Sequence, residues 1–320
     1  MKPKVFVTRA IFDAGLDLVR AACDANVWEE DRPIPRDILL ERVRGVEGIL
    51  SLLTERMDGE VMDAAGPQLK VISQFAVGYD NVDVPAARER GIKIGNTPGV
   101  LTDATADIAF ALLLATGRRI VEGADYVRAG HWKTWGPALL LGQDVTGATL
   151  GIVGLGRIGQ AMARRAAGFD MKLLAYGPRL TDEEAAEVGA KRVSLDELLR
   201  ESDYVSLHCP LNADTRHLMN RETFAKMKPT SILINTTRGP VVDQAALIEA
   251  IENKVIGGAG LDVTDPEPLP ADNPLLTFPN VVVVPHIGSA SVRTRNKMAE
   301  MSALNLIAGV TGQPLPNEVK

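Results

Sequence analysis

Cysteine is scarce in this sequence. Cys23 and Cys209 are the only two among 320 residues, and they stand far apart and in no metal-ligand spacing. A disulfide framework is therefore not indicated, no metal site is expected, and a reducing cytoplasm is the expected compartment. Long apolar runs are missing too. The longest, IAFALLLATG from Ile108 to Gly117, is flanked by Asp107 and Arg118 and is too short to span a bilayer. Being apolar on every face, it is expected as a buried helix in a large core or at a subunit interface. The N-terminus reaches Arg9 after a very short apolar run, so no signal peptide is expected. Nor is there an excess of positive charge: the net charge is −6, which argues against a nucleic-acid or anionic-membrane surface. Low-complexity linkers and short-period repeats are absent.

What is present is a globular composition in a chain long enough for two domains. Short β-rich runs alternate with helical patterns. The first group is KVFVT from Lys4, GILSLL from Gly48, LKVISQFA from Leu69 and IKIGN from Ile92. The second is ATLGIVG from Ala148, KLLAY from Lys172, YVSLH from Tyr204, SILINT from Ser231, GAGLDV from Gly258 and VVVVP from Val281. Such alternation predicts parallel sheets covered by helices on both faces. Two groups of runs predict an α/β protein with two doubly wound domains. Helix starts are marked at Thr102-Asp103, at the capping box Thr181 to Glu184, and at Ser194 to Glu197. The pattern breaks at NTPGVLTDAT, Asn96 to Thr105, and the chain after His286 is mostly helical. The expected division is a discontinuous domain of residues 1–99 and 288–320 and a second domain of residues 100–287.

The run TLGIVGLGRIGQAMARRAA carries G-x-G-x-x-G at Gly154, Gly156 and Gly159, with a strand before it and a helical run after it. That context makes the motif specific for a dinucleotide. The first glycine permits a tight turn, the second lets a pyrophosphate approach, and the third lets helix and strand pack closely. An acid that holds the adenosine ribose belongs at the end of the next strand. Here that place is taken by Gly177, followed by Pro178 and Arg179. With no acid there to repel a 2′-phosphate, Arg179 can pair with it bidentately, so NADP(H) is expected in preference to NAD(H). The next acid, Asp182, falls in the first turn of a helix, where it favours the helix dipole.

Three polar residues follow or end strand-like runs of the second group: Arg238, Asp262 and His286. Carboxyl ends of parallel strands point into the ligand crevice of such sheets, so these residues are expected to approach one site, with Glu267 from the loop TDPEPLP. Beside a nicotinamide they supply what reduction of a 2-oxo acid needs. Arg grips a carboxylate with its fork. His gives a proton to the carbonyl oxygen, and Glu holds the imidazole and favours its charged form.

Seven segments carry a family resemblance: VGYDNVD (Val77 to Asp83), TPGVLTDATAD (Thr97 to Asp107), WKTWGP (Trp132 to Pro137), GIVGLGRIG, INTTRGPVVD (Ile234 to Asp243), GLDVTDPEPLP (Gly260 to Pro270) and PHIGSASVRTRNKM (Pro285 to Met298). In this order the chain resembles the D-isomer-specific 2-hydroxyacid dehydrogenases over nearly its full length, and among them the glyoxylate/hydroxypyruvate reductases. The resemblance implies a Rossmann cofactor domain and a flavodoxin-like substrate domain with a cleft between them. It implies Arg238, Glu267 and His286 as the catalytic set. It also implies that N–H groups around Val77 and Gly78 bind the substrate carboxylate beside Leu53, with Arg238. Thr105, Thr236, Thr237 and Asp262 would line the nicotinamide half, with Asp262 on the carboxamide, and Gly288 would be a further cofactor contact. Arg157 and Ile158 would contact the pyrophosphate, and Pro210 would border the adenosine. The helix from Thr102 would build a homodimer, and Trp135 would either reach the partner's active site or simply pack in the dimer loop.

Two features depart from the family pattern: Gly177 replaces the acid of NAD-using relatives, and Asp107 stands where they commonly have Glu. The chain stops at Lys320 without the regulatory extension of many phosphoglycerate dehydrogenases, which lowers the expectation of serine biosynthesis. The expected activity is NADPH-preferring reduction of glyoxylate to glycolate and of hydroxypyruvate to D-glycerate. Reduction of 2-ketogluconate or another larger 2-keto acid is the alternative in the same class. A nucleotide-sensing corepressor on the same fold is the alternative outside it.

Overall fold

A computed structural model describes residues 1–320. The chain divides into two compact units, Met1–Leu101 with Ala290–Lys320, and Thr102–Ser289. The first unit holds strands β1 (Lys4–Val7), β2 (Asp24–Val27), β3 (Gly48–Ser51), β4 (Val71–Gln74) and β5 (Lys93–Gly95). They form one parallel sheet in the order β2-β1-β3-β4-β5. The second unit holds β6 (Thr149–Val153), β7 (Lys172–Tyr176), β8 (Ala190–Arg192), β9 (Tyr204–Leu207), β10 (Ile232–Asn235), β11 (Gly258–Leu261) and β12 (Val281–Val283). Their parallel sheet has the order β12-β11-β10-β9-β6-β7-β8. The architecture is the doubly wound α/β pair that the alternation of runs predicts.

Two strands escape the sequence pattern, and both are short edges. Asp24–Val27 alternates exposed and half-buried residues, and Ala190–Arg192 buries only its alanine. DANV and AKR hold few apolar residues and are mostly exposed, so they lack the apolar run that reveals the other strands, including the edge strands β5 and β12. The central strands β3, β4, β9, β10 and β11 are buried at every residue. Full burial of one such side chain, Ile49 or Ile72 for example, contributes roughly 1.5–3 kcal/mol. Several apolar runs end sooner than their composition suggests. GILSLL is strand only to Ser51, and Leu52 and Leu53 lie in the turn beyond it.

The apolar helix is Thr102–Gly117, buried through Ala106, Ala109, Leu112 and Leu113 beneath the second sheet. The C-terminal helix Val292–Val310 returns to the first unit, where Gly309 packs on Val71 so closely that a Cβ would come within 2.4 Å of it. Thr181 closes a complete capping box with Glu184, and Ser194 accepts the N–H of Glu197. In the second sheet β7 lies on one side of β6 and β9 on the other. The winding therefore reverses between β6 and β9, and ligands of open α/β sheets bind at the carboxyl ends of strands at such a point.

Candidate active site

The glycine turn follows β6 at that reversal. Gly154 has φ 95°, in the left-handed region, and a Cβ there would lie 2.8 Å from the carbonyl carbon of His208, just past β9. A Cβ on Gly159 would lie 2.2 Å from the Gly154 carbonyl oxygen, so only glycine lets this helix meet the turn. At Gly156 a Cβ would meet nothing within 4 Å, which leaves room on the backbone for an approaching group. The helix Arg157–Ala167 begins there without a side-chain cap. Its first N–H groups thus remain available to an anion. Arg157 is exposed beside them, and Ile158 is half-buried. These features fit a dinucleotide pyrophosphate.

The Gly154 N–H donates to the carbonyl of Tyr176 at 2.8 Å, which joins the turn to the end of β7. The next residues turn back, with the Leu180 N–H donating to the Gly177 carbonyl at 3.2 Å. Gly177 has no left-handed backbone, and a Cβ there would meet only Leu180, with its Cβ at 3.3 Å. The backbone conformation there does not demand glycine, and a side chain would need only a few tenths of an ångström of movement in Leu180. Arg179 is exposed on this turn and makes no hydrogen bond or ion pair. Pro210, past β9, accepts the Thr215 hydroxyl at 2.6 Å.

His286 follows β12 with φ 53°, a left-handed conformation rare for a residue with a side chain. Its Nδ1 lies 2.6 Å from Glu267 Oε1. A carboxylate only accepts, so Nδ1 carries the hydrogen and Nε2 is the ring nitrogen left for another partner. Asp262, one residue past β11, is 1% exposed. Its carbonyl accepts the His286 N–H at 2.9 Å. Its carboxylate accepts the N–H groups of Ile287 at 2.6 Å and Gly288 at 2.7 Å. Burial pushes the Asp262 carboxyl above its ordinary range, against those two N–H groups and the nearby imidazole, which pull it down. Thr105 borders this cluster, since a Cβ on Gly288 would lie 3.4 Å from its methyl and 2.9 Å from Asp262 Oδ2.

Arg238 stands on the turn after β10. The buried side chain of Asn235 organises that turn. Its Oδ1 accepts the Thr237 N–H at 3.0 Å and hydroxyl at 2.7 Å, and its Nδ2 donates to the Arg238 carbonyl at 3.0 Å. The Arg238 Nη1 donates to the Thr237 carbonyl at 2.9 Å. The Thr236 hydroxyl is buried and has no partner in the protein, so a bound group can supply one. Sequence reasoning passed over Asn235. The signal was a polar residue ending the apolar strand ILIN, where a buried amide needs partners.

In the first unit, Leu53 and the pair Val77-Gly78 lie on loops past β3 and β4. The N–H groups of Val77 and Gly78 have no acceptor within the protein. Asn81, not singled out by its sequence, ties the two loops. Its Nδ2 donates to the carbonyls of Leu52 at 2.9 Å and Glu55 at 2.7 Å, and its Oδ1 accepts from Gln74 at 2.8 Å. Asn96 donates to the Val77 carbonyl at 2.9 Å. Trp135, in the second unit, is 77% exposed.

A second histidine is set apart by burial. His208 is half-buried, with Nδ1 enclosed and without a partner and Nε2 2.8 Å from the Ser206 hydroxyl, and this burial lowers its pKa to about 4. It is neutral near pH 7 and unsuited to give a proton there. No group of three or more His, Cys, Asp or Glu side chains is placed to hold a metal ion, and no helix is long and apolar enough to cross a membrane.

The glycine turn at a winding reversal, with an Arg and a His past neighbouring strand ends and a Glu from the loop after β11 on the His, defines an NAD(P)-dependent oxidoreductase of the Rossmann class. Residues 110–288 match the family model of the D-isomer specific 2-hydroxyacid dehydrogenase NAD binding domain. The chain is 51% identical to a glyoxylate reductase of Korarchaeum cryptofilum, over all of this chain and 96% of that one. Among solved structures, it is 49% identical to a protein of Thermus thermophilus, with TM-score 0.91 over 99% of this chain and 100% of that one. It is 34% identical to an NADPH-dependent glyoxylate/hydroxypyruvate reductase of Sinorhizobium meliloti, solved with NADP and malonate. The TM-score there is 0.87, over all of this chain and 97% of the other. The chain belongs to the D-isomer specific 2-hydroxyacid dehydrogenase family.

Proposed function

We propose that the protein is an NADPH-preferring reductase of small 2-oxo acids, turning glyoxylate into glycolate and hydroxypyruvate into D-glycerate. The observation that carries this reading is the 2.6 Å contact between His286 Nδ1 and Glu267 Oε1, which leaves Nε2 to serve a substrate. The relatives named for glyoxylate reduction support the substrate class. When bound, the nicotinamide supplies hydride to the carbonyl carbon. His286 gives its Nε2 proton to the carbonyl oxygen, and Glu267 stabilises the charged imidazole through Nδ1. Arg238 binds the substrate carboxylate with its guanidinium, and in the first unit Leu53 and the open N–H groups of Val77 and Gly78 are proposed as substrate-binding groups. Thr236, with its unpartnered hydroxyl, and Thr105, Thr237, Asp262 and Gly288 hold the nicotinamide end. Gly154, Gly156, Arg157, Ile158 and Gly159 hold the pyrophosphate, and Pro210 borders the adenosine.

Preference for NADP(H) rests on Gly177 and Arg179. The turn offers an unpaired guanidinium and no carboxylate, which suits a 2′-phosphate. The proposed assembly is a homodimer in the cytoplasm. Supporting it, Ile120, Val127, Trp132, Trp135 and Leu141 are exposed, and Arg119 joins their helix to their loop by donating to the Leu141 carbonyl at 3.3 Å. Apolar surface of this kind marks an interaction site.

The deciding experiment is kcat/KM for NADPH and for NADH, with glyoxylate and then with hydroxypyruvate. A strong NADPH preference with both acids is the expected result. A preference for NADH would return Arg179 to the role of a loop arginine. Inactivity with both acids would redirect the search to larger 2-keto acids.

A further inference from the structure

The turn carrying Arg238 and the loop carrying Glu267 leave different strands, β10 and β11, yet they are in direct contact. A Cβ on Gly239 would lie 1.9 Å from the Thr264 carbonyl oxygen, 2.1 Å from its carbon and 2.8 Å from the Asp265 nitrogen. All three are backbone atoms, so no side-chain adjustment relieves the clash. Two further bonds fix the loop. The Thr264 hydroxyl donates to the Pro266 carbonyl at 2.9 Å. The Asp265 N–H donates to Oε1 of Gln244, the first residue of the helix Gln244–Glu252, at 3.1 Å. That helix follows the Arg238 turn directly in the chain, so the close packing at Gly239 and the bond to Gln244 both reach the Glu267 loop from the Arg238 side.

We propose that Gly239 and Gln244 are positioning residues for Glu267. They seat its loop against the Arg238 turn, so that the carboxylate anchor and the His286–Glu267 pair are set by one shared contact. Neither residue needs to touch substrate or cofactor. Each acts through the placement of the Glu267 carboxylate, and a displacement near 1 Å at a reacting group can cost about 100-fold in rate. The inference rests on the reading of Glu267 as the partner of the proton donor.

The test compares four variants of the full chain: Gly239→Ala, Gln244→Met, Gln244→Glu and Glu267→Gln. Each is measured for glyoxylate reduction across pH, for KM and kcat separately, and for Tm. Gln244→Met keeps the side-chain volume and loses the acceptor, while Gln244→Glu keeps an acceptor. The expected result is a kcat loss of about 3- to 10-fold in Gln244→Met, the scale of one hydrogen bond, with the pH profile shifted as in Glu267→Gln. Gln244→Glu recovers the wild-type profile, and Gly239→Ala falls about 100-fold with a similar shift. If Gly239→Ala does not fold, the two Gln244 variants decide. A Gln244→Met enzyme with wild-type kcat and pH profile, or one that loses only Tm, overturns the proposal while Glu267→Gln is still impaired. Wild-type kinetics in Glu267→Gln overturn both the proposal and the proton-delivery reading beneath it.

Discussion

Asp262 fixes the backbone on which His286 stands. Its carbonyl takes the His286 N–H at 2.9 Å, and its carboxylate takes the next two N–H groups, of Ile287 and Gly288. A left-handed residue is held only where its surroundings over-determine it, and here three bonds from one residue do so. Asp262→Asn turns an acceptor into a donor facing an N–H. It is expected to lower kcat by about 10- to 100-fold through a displaced imidazole. Steady-state kinetics alongside Tm check this, and wild-type kcat would show that the turn holds itself.

Replacing His286 by Ala is expected to lower kcat by roughly 10²–10⁴-fold, the range of a positioned acid. Arg238→Ala is expected to damage KM and kcat together, because the guanidinium is proposed both to bind and to orient the substrate. Single-turnover and steady-state rates with glyoxylate distinguish the two effects. Near-normal turnover in His286→Ala would remove it from proton transfer.

Cofactor choice is expected to follow the turn after β7. Arg179→Ala should weaken NADPH use and leave NADH use nearly unchanged. Gly177→Asp should reverse the preference, because the backbone there is not left-handed, its Cβ needs only a small shift of Leu180, and a carboxylate repels the 2′-phosphate. The ratio of kcat/KM for the two cofactors is the readout, and equal losses with both would count against a phosphate contact.

His208 predicts an acid limit to stability. Burial lowers its pKa from 6.5 to about 4, so the unfolded chain binds this proton more readily than the folded one. The stability it contributes is complete above 6.5 and falls as pH drops toward the folded value. By pH 4 the loss reaches about 3 kcal/mol. Denaturant unfolding from pH 7 to pH 4 should show this loss in the wild type and a flatter curve in His208→Asn. Matching slopes would mean that other groups govern the acid transition.

Asn81 predicts a defect in substrate binding alone. Asn81→Asp removes both donors that hold the Leu52 and Glu55 carbonyls and sets a carboxylate against them. KM for glyoxylate should rise about 10-fold or more, the scale of two lost hydrogen bonds. NADPH affinity, proposed to depend on residues of the other unit, should be unchanged. A titration of NADPH fluorescence beside KM measurements checks the split.

The sequence showed most of the fold because central parallel strands are buried on both faces and read as unbroken apolar runs, ILIN and YVSL among them. Two of the four edge strands, DANV and AKR, carry no such run and stayed hidden, while the edges at IKIGN and VVVVP were legible. Residue types at the site were equally visible: three glycines after β6, an arginine after β10, a histidine after β12. The organisers were not. Asn81, Asn235 and Gln244 belong to no catalytic pattern, and their roles consist of hydrogen bonds to backbone atoms that the sequence does not locate.

By itself, then, the order of residues determined the alternation of strands and helices, the glycine turn, the missing acid at Gly177 and the chemistry available at strand ends. Local periodicity and backbone sterics suffice for these, since each depends on neighbours in the chain. Only the tertiary structure decided which distant groups meet. Glu267 reaches the His286 ring, the Asp262 carboxylate lies against the N–H groups of Ile287 and Gly288, and Gly239 lies against Thr264. Those distances follow from the register of β10, β11 and β12 in one sheet, and a register is fixed by packing of the whole layer rather than by any one segment.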